Sequence, residues 1–236
     1  MNLPVAILAG GLATRLRPIT ERIPKALVEV AGKPFIEWQL EFLARQGIDR
    51  VVICAGHLAG QIIATIDNGS QFGLEITYSL DGPRLLGTGG ALRQALPILG
   101  SEFFVLYGDS FLPIDFPSVE KTYFTSGAPA LMTILRNGDR WDKSNVLFKE
   151  GNILEYNKHC PRPEMAYIDY GLGILSSSIL QPYPEEQAFD LAEVYHALSL
   201  TGELAGYEVY ERFYEIGSLS GLKETEDFLI KWEAKT

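Results

Sequence analysis

The chain has 236 residues, 47% of them hydrophobic, which is enough to bury one core, and we expect residues 1–236 to form one domain. Its formal net charge of −10 at pH 7 argues against a nucleic-acid partner, because proteins that bind nucleic acids usually carry a basic excess. No apolar run is long enough to span a membrane and the N-terminus lacks a signal-peptide pattern, so we expect a cytoplasmic protein with no membrane partner.

Short apolar runs and helical patterns alternate through the first half of the chain. The pattern predicts strands at 4–9, 50–56, 74–80 and 102–110, and helices at 34–47, 58–67 and 89–99. This alternation is typical of βαβ crossovers and of a parallel sheet covered on both faces. Ligands bind such sheets at the carboxyl ends of the strands, so the loops that follow the first and fourth strands form the candidate site.

The second half of the chain adds elements of a different kind. We predict strands at 128–135 and 166–176, a hairpin over 145–158 that turns at "KEGN", and helices at 190–202 and 222–235. The predicted fold is therefore α/β: a single Rossmann-like α/β/α domain with a mixed, mainly parallel central sheet and antiparallel elements in the second half.

The loop after the first strand concentrates positive charge in an acidic chain. Gly10 and Gly11 end the strand, and Arg15, Arg17, Arg22 and Lys25 follow. Glycines let backbone N–H groups approach an anion closely, and arginine and lysine supply charge, so a phosphate-binding loop is predicted. The stretch matches neither the Walker A pattern nor G-x-G-x-x-G, which gives no support to a P-loop NTPase or a dinucleotide-binding enzyme.

Three further stretches allow both a functional and a structural interpretation. Asp109, in "YGDS", suits either a divalent metal ion or a chain turn, because hard cations prefer oxygen ligands. The glycines of "LLGTGGAL" at 85–92 allow a flat ring to pack against the backbone, or form a flexible loop in which Thr88 caps a helix. Glu215, in "FYEIGS", is a second metal ligand or an exposed turn residue.

Taken together, these stretches resemble one enzyme family. The motifs "LAGGLATRLRPIT", "IPKAL", "GKPFIEWQLEFLARQGI", "LGTGGAL", "YGDS" and "FYEIGS" occur in the order found in sugar-1-phosphate nucleotidyltransferases. The sequence is most similar to the types that use GTP on heptose 1-phosphate or mannose 1-phosphate. The resemblance implies Mg²⁺-dependent transfer of a nucleoside monophosphate to a heptose or hexose 1-phosphate, with release of pyrophosphate. UTP, TTP and CTP are the alternatives to GTP, a homo-oligomer is left open, and no C-terminal β-helix is expected.

The resemblance also implies roles for particular residues. Arg15 would hold the β and γ phosphates, Lys25 would bridge the reacting phosphates, and Asp109 and Glu215 would bind Mg²⁺. The implied nucleotide-binding residues are Leu8, Ala9, Gly10, Gly11, Thr14, Arg15, Leu86, Gly87, Thr88, Gly89 and Gly108. Lys158 would contact the sugar phosphate, and the other implied substrate-binding residues are Asn157, Asp169 and Gly171.

Three residues depart from the family pattern. Ala13 replaces a glycine, and its methyl group is tolerable where the residue has a negative φ. Glu215 replaces an aspartate and is expected still to bind Mg²⁺. Asn157 replaces a glutamate. Glu215 and Asn157 keep open an alternative of another class, a catalytically inactive regulatory subunit that binds nucleotide-sugars.

Overall fold

A computed structural model describes residues 3–234 of the chain. Its strands are β1 (Val5–Leu8), β2 (Glu29–Val30), β3 (Lys33–Pro34), β4 (Arg50–Ala55), β5 (Glu75–Leu80), β6 (Glu102–Tyr107), β7 (Ser110–Phe111), β8 (Ala130–Arg136), β9 (Val146–Lys149), β10 (Asn152–Tyr156), β11 (Tyr167–Ser176), β12 (Leu204–Val209) and β13 (Tyr214–Glu215). Its helices are α1 (Phe35–Arg45), α2 (Ala59–Ile66), α3 (Gly87–Leu99), α4 (Phe116–Ser126), α5 (Ser177–Leu180), α6 (Leu191–Thr201) and α7 (Leu219–Glu233). None of the helices within 3–234 is both long and apolar enough to cross a membrane.

Within residues 3–234, nine strands form one sheet in the order β5-β4-β1-β6-β11-β8-β12-β10-β9. Strands β5, β4, β1 and β6 are parallel to one another, as are β8 and β12. The remaining pairs in this sheet are antiparallel, and two small pairs, β2–β3 and β7–β13, lie outside it. The predicted mixed Rossmann-like α/β fold is confirmed, with more antiparallel pairing in the second half than the sequence pattern indicated.

The side chains of the central strands alternate between two apolar layers. In β1, Val5 and Ile7 face a core completed by α1, α2, α4 and α7. Ala6, between them, faces a second core completed by α3, α5 and α6. Because successive side chains of a strand point to opposite faces, this alternation places the sheet between two helical layers, as predicted.

Some boundaries differ from the sequence prediction. The predicted strand 102–110 ends at Tyr107, and the chain turns at Gly108 before the short strand β7. Helix α3 starts at Gly87, two residues before the predicted start, and α4 was not predicted. The predicted helix 222–235 starts earlier, at Leu219, where the Ser218 side chain accepts a hydrogen bond from the N–H of Gly221. Lys235 lies outside the described residues.

An aromatic cluster attaches β7 to the helical layer. The Phe111 ring lies 5.2 Å from Phe42, 6.0 Å from Phe228 and 5.9 Å from Trp232, measured between centroids. Phe111 is 2% exposed, so its whole ring contributes to the core. Since β7 pairs with β13, this packing also fixes the position of β13.

We predict that Phe111→Ala lowers the free energy of unfolding by about 3–5 kcal/mol, because it leaves a cavity where an aromatic ring was fully buried. Phe124→Ala is the matched control, since Phe124 is 46% exposed, and it should cost less than about 1 kcal/mol. Urea unfolding followed by circular dichroism measures both variants. Equal losses for the two variants would contradict the assigned packing.

Candidate functional site

A cleft of about 380 Å³ opens at the carboxyl edge of the parallel strands. It lies where the sequence pattern placed the candidate site. The predicted residues that line it are Leu8, Ala9, Gly10, Gly11, Thr14, Arg15, Lys25, Gly87, Thr88, Gly108 and Asp109. The lining residues without a predicted role are Ala13, Ala26, Asp81, Leu85, Ala91, Tyr107 and Gly217.

An ion pair joins the two loops at one end of the cleft. Lys25 Nζ lies 2.6 Å from Asp109 Oδ2, with side-chain exposures of 15% and 33%. The Ser110 hydroxyl donates a hydrogen bond of 3.1 Å to the other carboxylate oxygen, Asp109 Oδ1. Charged hydrogen bonds of this length are strong, so the carboxylate is held in a defined orientation.

The β7–β13 pair brings Glu215 to the same end of the cleft. Glu215 lies opposite Ser110 in the ladder, and the N–H of Ile216 donates to the carbonyl of Asp109 at 2.9 Å. The Glu215 carboxylate accepts hydrogen bonds from the Gly217 N–H and, at 3.2 Å, from the Ser218 hydroxyl. The two predicted metal ligands are therefore neighbours across a short ladder, although Glu215 is not among the residues that line the cleft.

Gly217 lies at the point where the charges of the site converge. A Cβ at this position would collide with Glu215 Oε2 and would lie 3.1 Å from both Arg15 Nη2 and Lys25 Nζ. A glycine is therefore required here because neighbouring side-chain atoms leave no room for a Cβ, and not because of backbone strain, since its φ is not in the left-handed region. The two cations predicted to hold phosphates are brought together, as the loop pattern indicated.

Ala13 has a left-handed conformation, with φ 46° and ψ 47°. The negative φ that would make a methyl group easy to accommodate is therefore not observed, and the residue carries strain that a glycine would not. The hydroxyl of Thr20 donates to the carbonyl of Ala13 at 2.8 Å, and the N–H of Leu16 donates to the same carbonyl at 3.1 Å. These two hydrogen bonds hold the turn that presents Arg15 to the cleft.

The side chain of Gln39, on α1, forms hydrogen bonds to the loop that carries Asp109. Its amide nitrogen donates to the carbonyl oxygens of Tyr107 at 3.0 Å and of Ser110 at 2.8 Å. Gln39 is 2% exposed, so water has little access to this amide and loss of these hydrogen bonds would leave buried polar groups without partners. One buried amide thus bridges the two ends of the turn that carries Gly108 and Asp109.

The glycines in the first turn of α3 allow a close approach between two parts of the chain. The N–H of Gly89 donates to the Phe189 carbonyl at 3.0 Å, and a Cβ at Gly89 would collide with the Phe189 ring. A Cβ at Gly90 would meet the Gln187 carbonyl. Leu86 is 4% exposed, and neither it nor Gly89 lines the cleft, whereas Gly87 and Thr88 do. The nucleotide-binding roles of Leu86 and Gly89 stay predictions.

Thr88 connects the cleft to Lys158. Its hydroxyl donates to Asp190 Oδ1 at 2.8 Å, and Asp190 Oδ2 lies 3.5 Å from Lys158 Nζ. Asp190 also caps α6 by accepting from the N–H of Ala192 at 3.0 Å. Lys158 does not line the cleft, but this chain of contacts places its ammonium beside the wall that Thr88 forms.

Asn145 holds the remaining predicted substrate-binding residues together. Its side-chain oxygen accepts from the N–H of Asp169 at 3.0 Å, and its carbonyl accepts from the N–H of Asn157 at 2.8 Å. Asp169 Oδ1 accepts from the N–H of Gly171 at 2.9 Å. A Cβ at Gly171 would lie 3.7 Å from Tyr107, which lines the cleft, so this group borders the cleft without lining it.

The sequence analysis missed Asp81, Tyr107 and Gly217. Asp81 follows the third predicted strand, whereas the predicted site included only the loops after the first and fourth strands. Tyr107 is the last residue of β6, and Gly217 lies two residues after Glu215. Each of these residues lies at or just after the end of a strand, so its position along the chain, and not its residue type, could have indicated that it belongs to the site.

Sequence comparison places the chain among known proteins. Residues 5–143 match the protein family described as Nucleotidyl transferase. The chain is 42% identical over 233 residues to N-acetylmuramate alpha-1-phosphate uridylyltransferase of Neisseria meningitidis, covering 96% of this chain and 98% of that protein. It is 28% identical over 187 residues to D-glycero-alpha-D-manno-heptose 1-phosphate guanylyltransferase of Campylobacter jejuni, covering 79% and 82%.

Other similarities extend over different lengths. UTP–glucose-1-phosphate uridylyltransferase of Synechocystis is 31% identical over 202 residues, and the match covers 78% of this chain but 52% of that longer protein. The chain therefore spans about half the length of that relative. The crystal structure of HddC from Yersinia pseudotuberculosis superposes with a TM-score of 0.80 at 24% identity, covering 96% of this chain and 99% of the other, which supports the fold.

We predict that Gly217→Ala weakens binding of inorganic tripolyphosphate about tenfold or more, because the added methyl group displaces the Glu215 carboxylate and separates Arg15 from Lys25. The control is Gly60→Ala on α2, where a Cβ would meet nothing within 4 Å. That change should leave binding unchanged and raise helix stability slightly. Isothermal titration calorimetry measures both, and unchanged affinity in Gly217→Ala would contradict the proposed anion site.

The raised pKa of Asp169 predicts that the free energy of unfolding depends on pH. Burial raises the pKa of its carboxyl to about 6 from 3.8, partly offset by the Gly171 N–H and the charge of Lys158. The folded protein therefore holds this proton more tightly than the unfolded chain, and wild-type stability falls as pH rises from about 4 to about 6. Asp169→Asn abolishes this loss, so its stability relative to wild type should increase by about 1–2 kcal/mol between pH 4 and pH 8.

Urea unfolding of wild type and Asp169→Asn at both pH values measures this difference. Any change in packing caused by the amide contributes equally at the two pH values and cancels in the comparison. A stability difference that is the same at pH 4 and pH 8 would show that Asp169 has an ordinary pKa.

Proposed function

The chain belongs to the nucleotidyl transferase family, and we propose that it transfers a nucleoside monophosphate from an NTP to a sugar 1-phosphate, releasing pyrophosphate. Its family resemblance to sugar-1-phosphate nucleotidyltransferases is confirmed. The observation that carries the proposed reaction is the convergence of Arg15, Lys25 and Asp109 at one end of the cleft.

The charge of the site suits this chemistry. The phosphate oxygen of a sugar 1-phosphate is already an anion at neutral pH, so its attack on the α-phosphorus requires no general base. The difficulty is the approach of two polyanions, which fixed cations reduce by neutralising charge and setting the in-line geometry. Arg15 is placed to hold the β and γ phosphates, and Lys25 to bridge the reacting phosphates. The described residues that line the cleft include no histidine, cysteine or serine.

Asp109 and Glu215 fit Mg²⁺. Among residues 3–234 no group of three or more His, Cys, Asp or Glu side chains is placed to hold a metal ion. Mg²⁺ in phosphate sites, however, takes one or two carboxylates and completes its shell with water and substrate phosphates. Two carboxylates beside two phosphate-binding cations match that requirement. When bound, the ion would neutralise charge on the triphosphate.

The sugar 1-phosphate is proposed to bind beside the Thr88 wall. Lys158 would contact its phosphate, since Asp190 holds this ammonium next to Thr88. Asn157, Asp169 and Gly171 would face the sugar, because they cluster around Asn145 next to Tyr107. Relatives are named for N-acetylmuramate, heptose and glucose 1-phosphates, so these are the sugars to test first.

Four broader predictions accompany the reaction. Residues 1–236 are proposed to act as one nucleotidyltransferase domain, supported by a nine-stranded sheet that contains strands from both halves of the chain. A cytoplasmic location and homo-oligomerisation stay predictions. The base is proposed to be guanine, with uracil, thymine and cytosine as the alternatives.

The reaction is tested by screening GTP, UTP, dTTP and CTP against N-acetylmuramate, heptose, mannose and glucose 1-phosphates with Mg²⁺. Pyrophosphate release is expected from at least one pair and should disappear with EDTA. No release from any pair would contradict the proposed activity. Nucleotide binding without turnover would instead favour the alternative of an inactive regulatory subunit.

Replacement of the charged residues tests the site. We expect Arg15→Ala, Lys25→Ala and Asp109→Ala each to lower kcat by about 100-fold or more, because each removes a charge needed mainly in the transition state. Arg22→Ala is the matched control, since Arg22 is exposed in the same loop, and its kcat should stay near wild type. Thermal unfolding of each variant separates lost catalysis from lost folding.

A further inference from the structure

The two proposed metal ligands lie on a very short ladder. Asp109 comes directly before β7 and Glu215 ends β13, and these strands pair through two residues each, outside the nine-stranded sheet. An isolated two-stranded pair is at best marginally stable in water, even when it is longer than this one. The ladder alone therefore does not fix the distance between the two carboxylates, and that constraint has to come from contacts with the rest of the fold.

A buried amide of α1 holds the Asp109 side of the ladder. The side-chain nitrogen of Gln39, which carries two N–H groups, donates to the carbonyl of Tyr107 at 3.0 Å and to that of Ser110 at 2.8 Å. These carbonyls flank the Gly108–Asp109 turn on either side. The N–H of Gly108 donates in turn to the Leu8 carbonyl at 3.0 Å. The turn is thus attached both to α1 and to the first strand of the sheet.

Packing alone does not explain a glutamine at this position. The side-chain oxygen of Gln39 is buried and has no hydrogen-bond partner among residues 3–234. A buried acceptor without a partner is destabilising. Ile36 and Leu43, one turn away on the same face of α1, belong to the apolar core, and a hydrophobic side chain at position 39 would pack there without that cost. The two carbonyl groups that the amide holds are therefore the reason for the glutamine.

A buried hydroxyl of α7 holds the Glu215 side of the ladder. Thr225 is fully buried, and its hydroxyl donates to the carbonyl of Glu215 at 3.0 Å. Between the two sides, the N–H of Ile216 donates to the carbonyl of Asp109 at 2.9 Å. Each segment that carries a carboxylate is therefore fixed through its backbone by one buried polar side chain, and the two side chains come from different helices.

We infer that Gln39 and Thr225 are positioning residues, which hold the two carboxylates at the separation that a divalent cation needs. This inference rests on the proposed function, because it takes Asp109 and Glu215 to be metal ligands. Neither Gln39 nor Thr225 lines the cleft, so both act through the backbone of the ladder and not by touching substrate. Mg²⁺ requires nearly ideal octahedral geometry, so a small displacement of one carboxylate weakens its binding.

Binding of Mn²⁺ alone to the full-length protein, measured by electron paramagnetic resonance, tests the inference without turnover. Gln39→Met keeps the length of the side chain and removes both donors, and Thr225→Val keeps its shape and removes the hydroxyl. Each variant should bind Mn²⁺ about tenfold or more weakly than wild type, because residues that orient metal ligands affect metal affinity by that amount. Asp109→Asn identifies the signal of this site, which it should abolish.

Trp38→Phe is the matched control. Trp38 is the neighbour of Gln39 on α1, and its indole N–H donates to the carbonyl of Val30 at 2.8 Å. The variant therefore also loses a buried hydrogen bond to a backbone carbonyl, but Val30 belongs to β2 and lies neither on the ladder nor in the lining of the cleft. Trp38→Phe should lower the thermal unfolding temperature and leave the Mn²⁺ affinity at the wild-type value.

Pyrophosphate release supplies a second measurement. With a reactive pair of NTP and sugar 1-phosphate, the Mg²⁺ concentration that gives half of the maximal rate should rise about tenfold in Gln39→Met. Calorimetric affinity for tripolyphosphate in EDTA should stay near wild type, because Arg15 and Lys25 belong to the connection after β1 and not to the ladder. A purely structural role would lower the thermal unfolding temperature without raising the Mg²⁺ requirement.

The Mn²⁺ measurement decides between the outcomes. Wild-type Mn²⁺ affinity in either folded variant would overturn the inference, and so would the absence of any Mn²⁺ signal that Asp109→Asn removes. Thr225→Val decides the matter where Gln39→Met fails to fold. Weaker Mn²⁺ binding in the variants, without pyrophosphate release by wild type from any substrate pair, would remove the proposed activity and leave the positioning roles intact.

Discussion

The Lys25–Asp109 ion pair, at 2.6 Å, is the interaction around which the site is arranged. It joins a turn after β1 to a turn after β6, and these two strands are adjacent and parallel in the sheet. The proposed reaction between two polyanions needs cations and carboxylates at one place, and an ion pair without further support would shift when the substrates bind. The protein therefore has to hold each charge separately by contacts that do not depend on the pair.

Those contacts come from both helical and strand elements. Gln39 of α1 donates to the carbonyl oxygens on either side of the Gly108–Asp109 turn, and Phe111 attaches β7 to α7 through aromatic packing. The neighbouring cation of the site, Arg15, is presented by a strained turn at Ala13, whose carbonyl accepts a hydrogen bond from the Thr20 hydroxyl. The strain of one left-handed non-glycine residue is of order 1 kcal/mol, similar to the net value of the hydrogen bonds that oppose it. The hydrogen bonds to the Ala13 carbonyl therefore roughly offset the backbone strain at Ala13, and no single strong contact holds the loop.

The sequence predicts the parallel half of the sheet well, because β1, β4 and β6 are buried on both faces and appear as continuous apolar runs that end at glycine or a polar residue. Helix α4 was missed since "FPSVEKTYFTS" combines aromatic and β-branched residues, and only Phe116, Val119 and Tyr123 are buried. The insertion of β8 between β11 and β12 depends on contacts between distant parts of the chain, and local patterns contain no information about such pairing. For the same reason, the sequence does not predict the hydrogen bonds by which Asn145 connects Asn157 and Asp169.

Glycine-rich motifs combine two physical causes that sequence alone does not separate. At Gly89 and Gly90 the absent side chains make room for Phe189 and Gln187, so these residues are explained by packing of the chain against itself. At Gly217 a Cβ would meet the charged groups of the site, and at Gly10 and Gly56 it would meet the Asp81 carboxylate. Only the second group keeps space beside groups that a ligand would contact. In the "LGTGG" motif a Cβ at Gly87 would also meet the Phe189 carbonyl, so packing explains this glycine too, although it is the one of Gly87, Gly89 and Gly90 that lines the cleft.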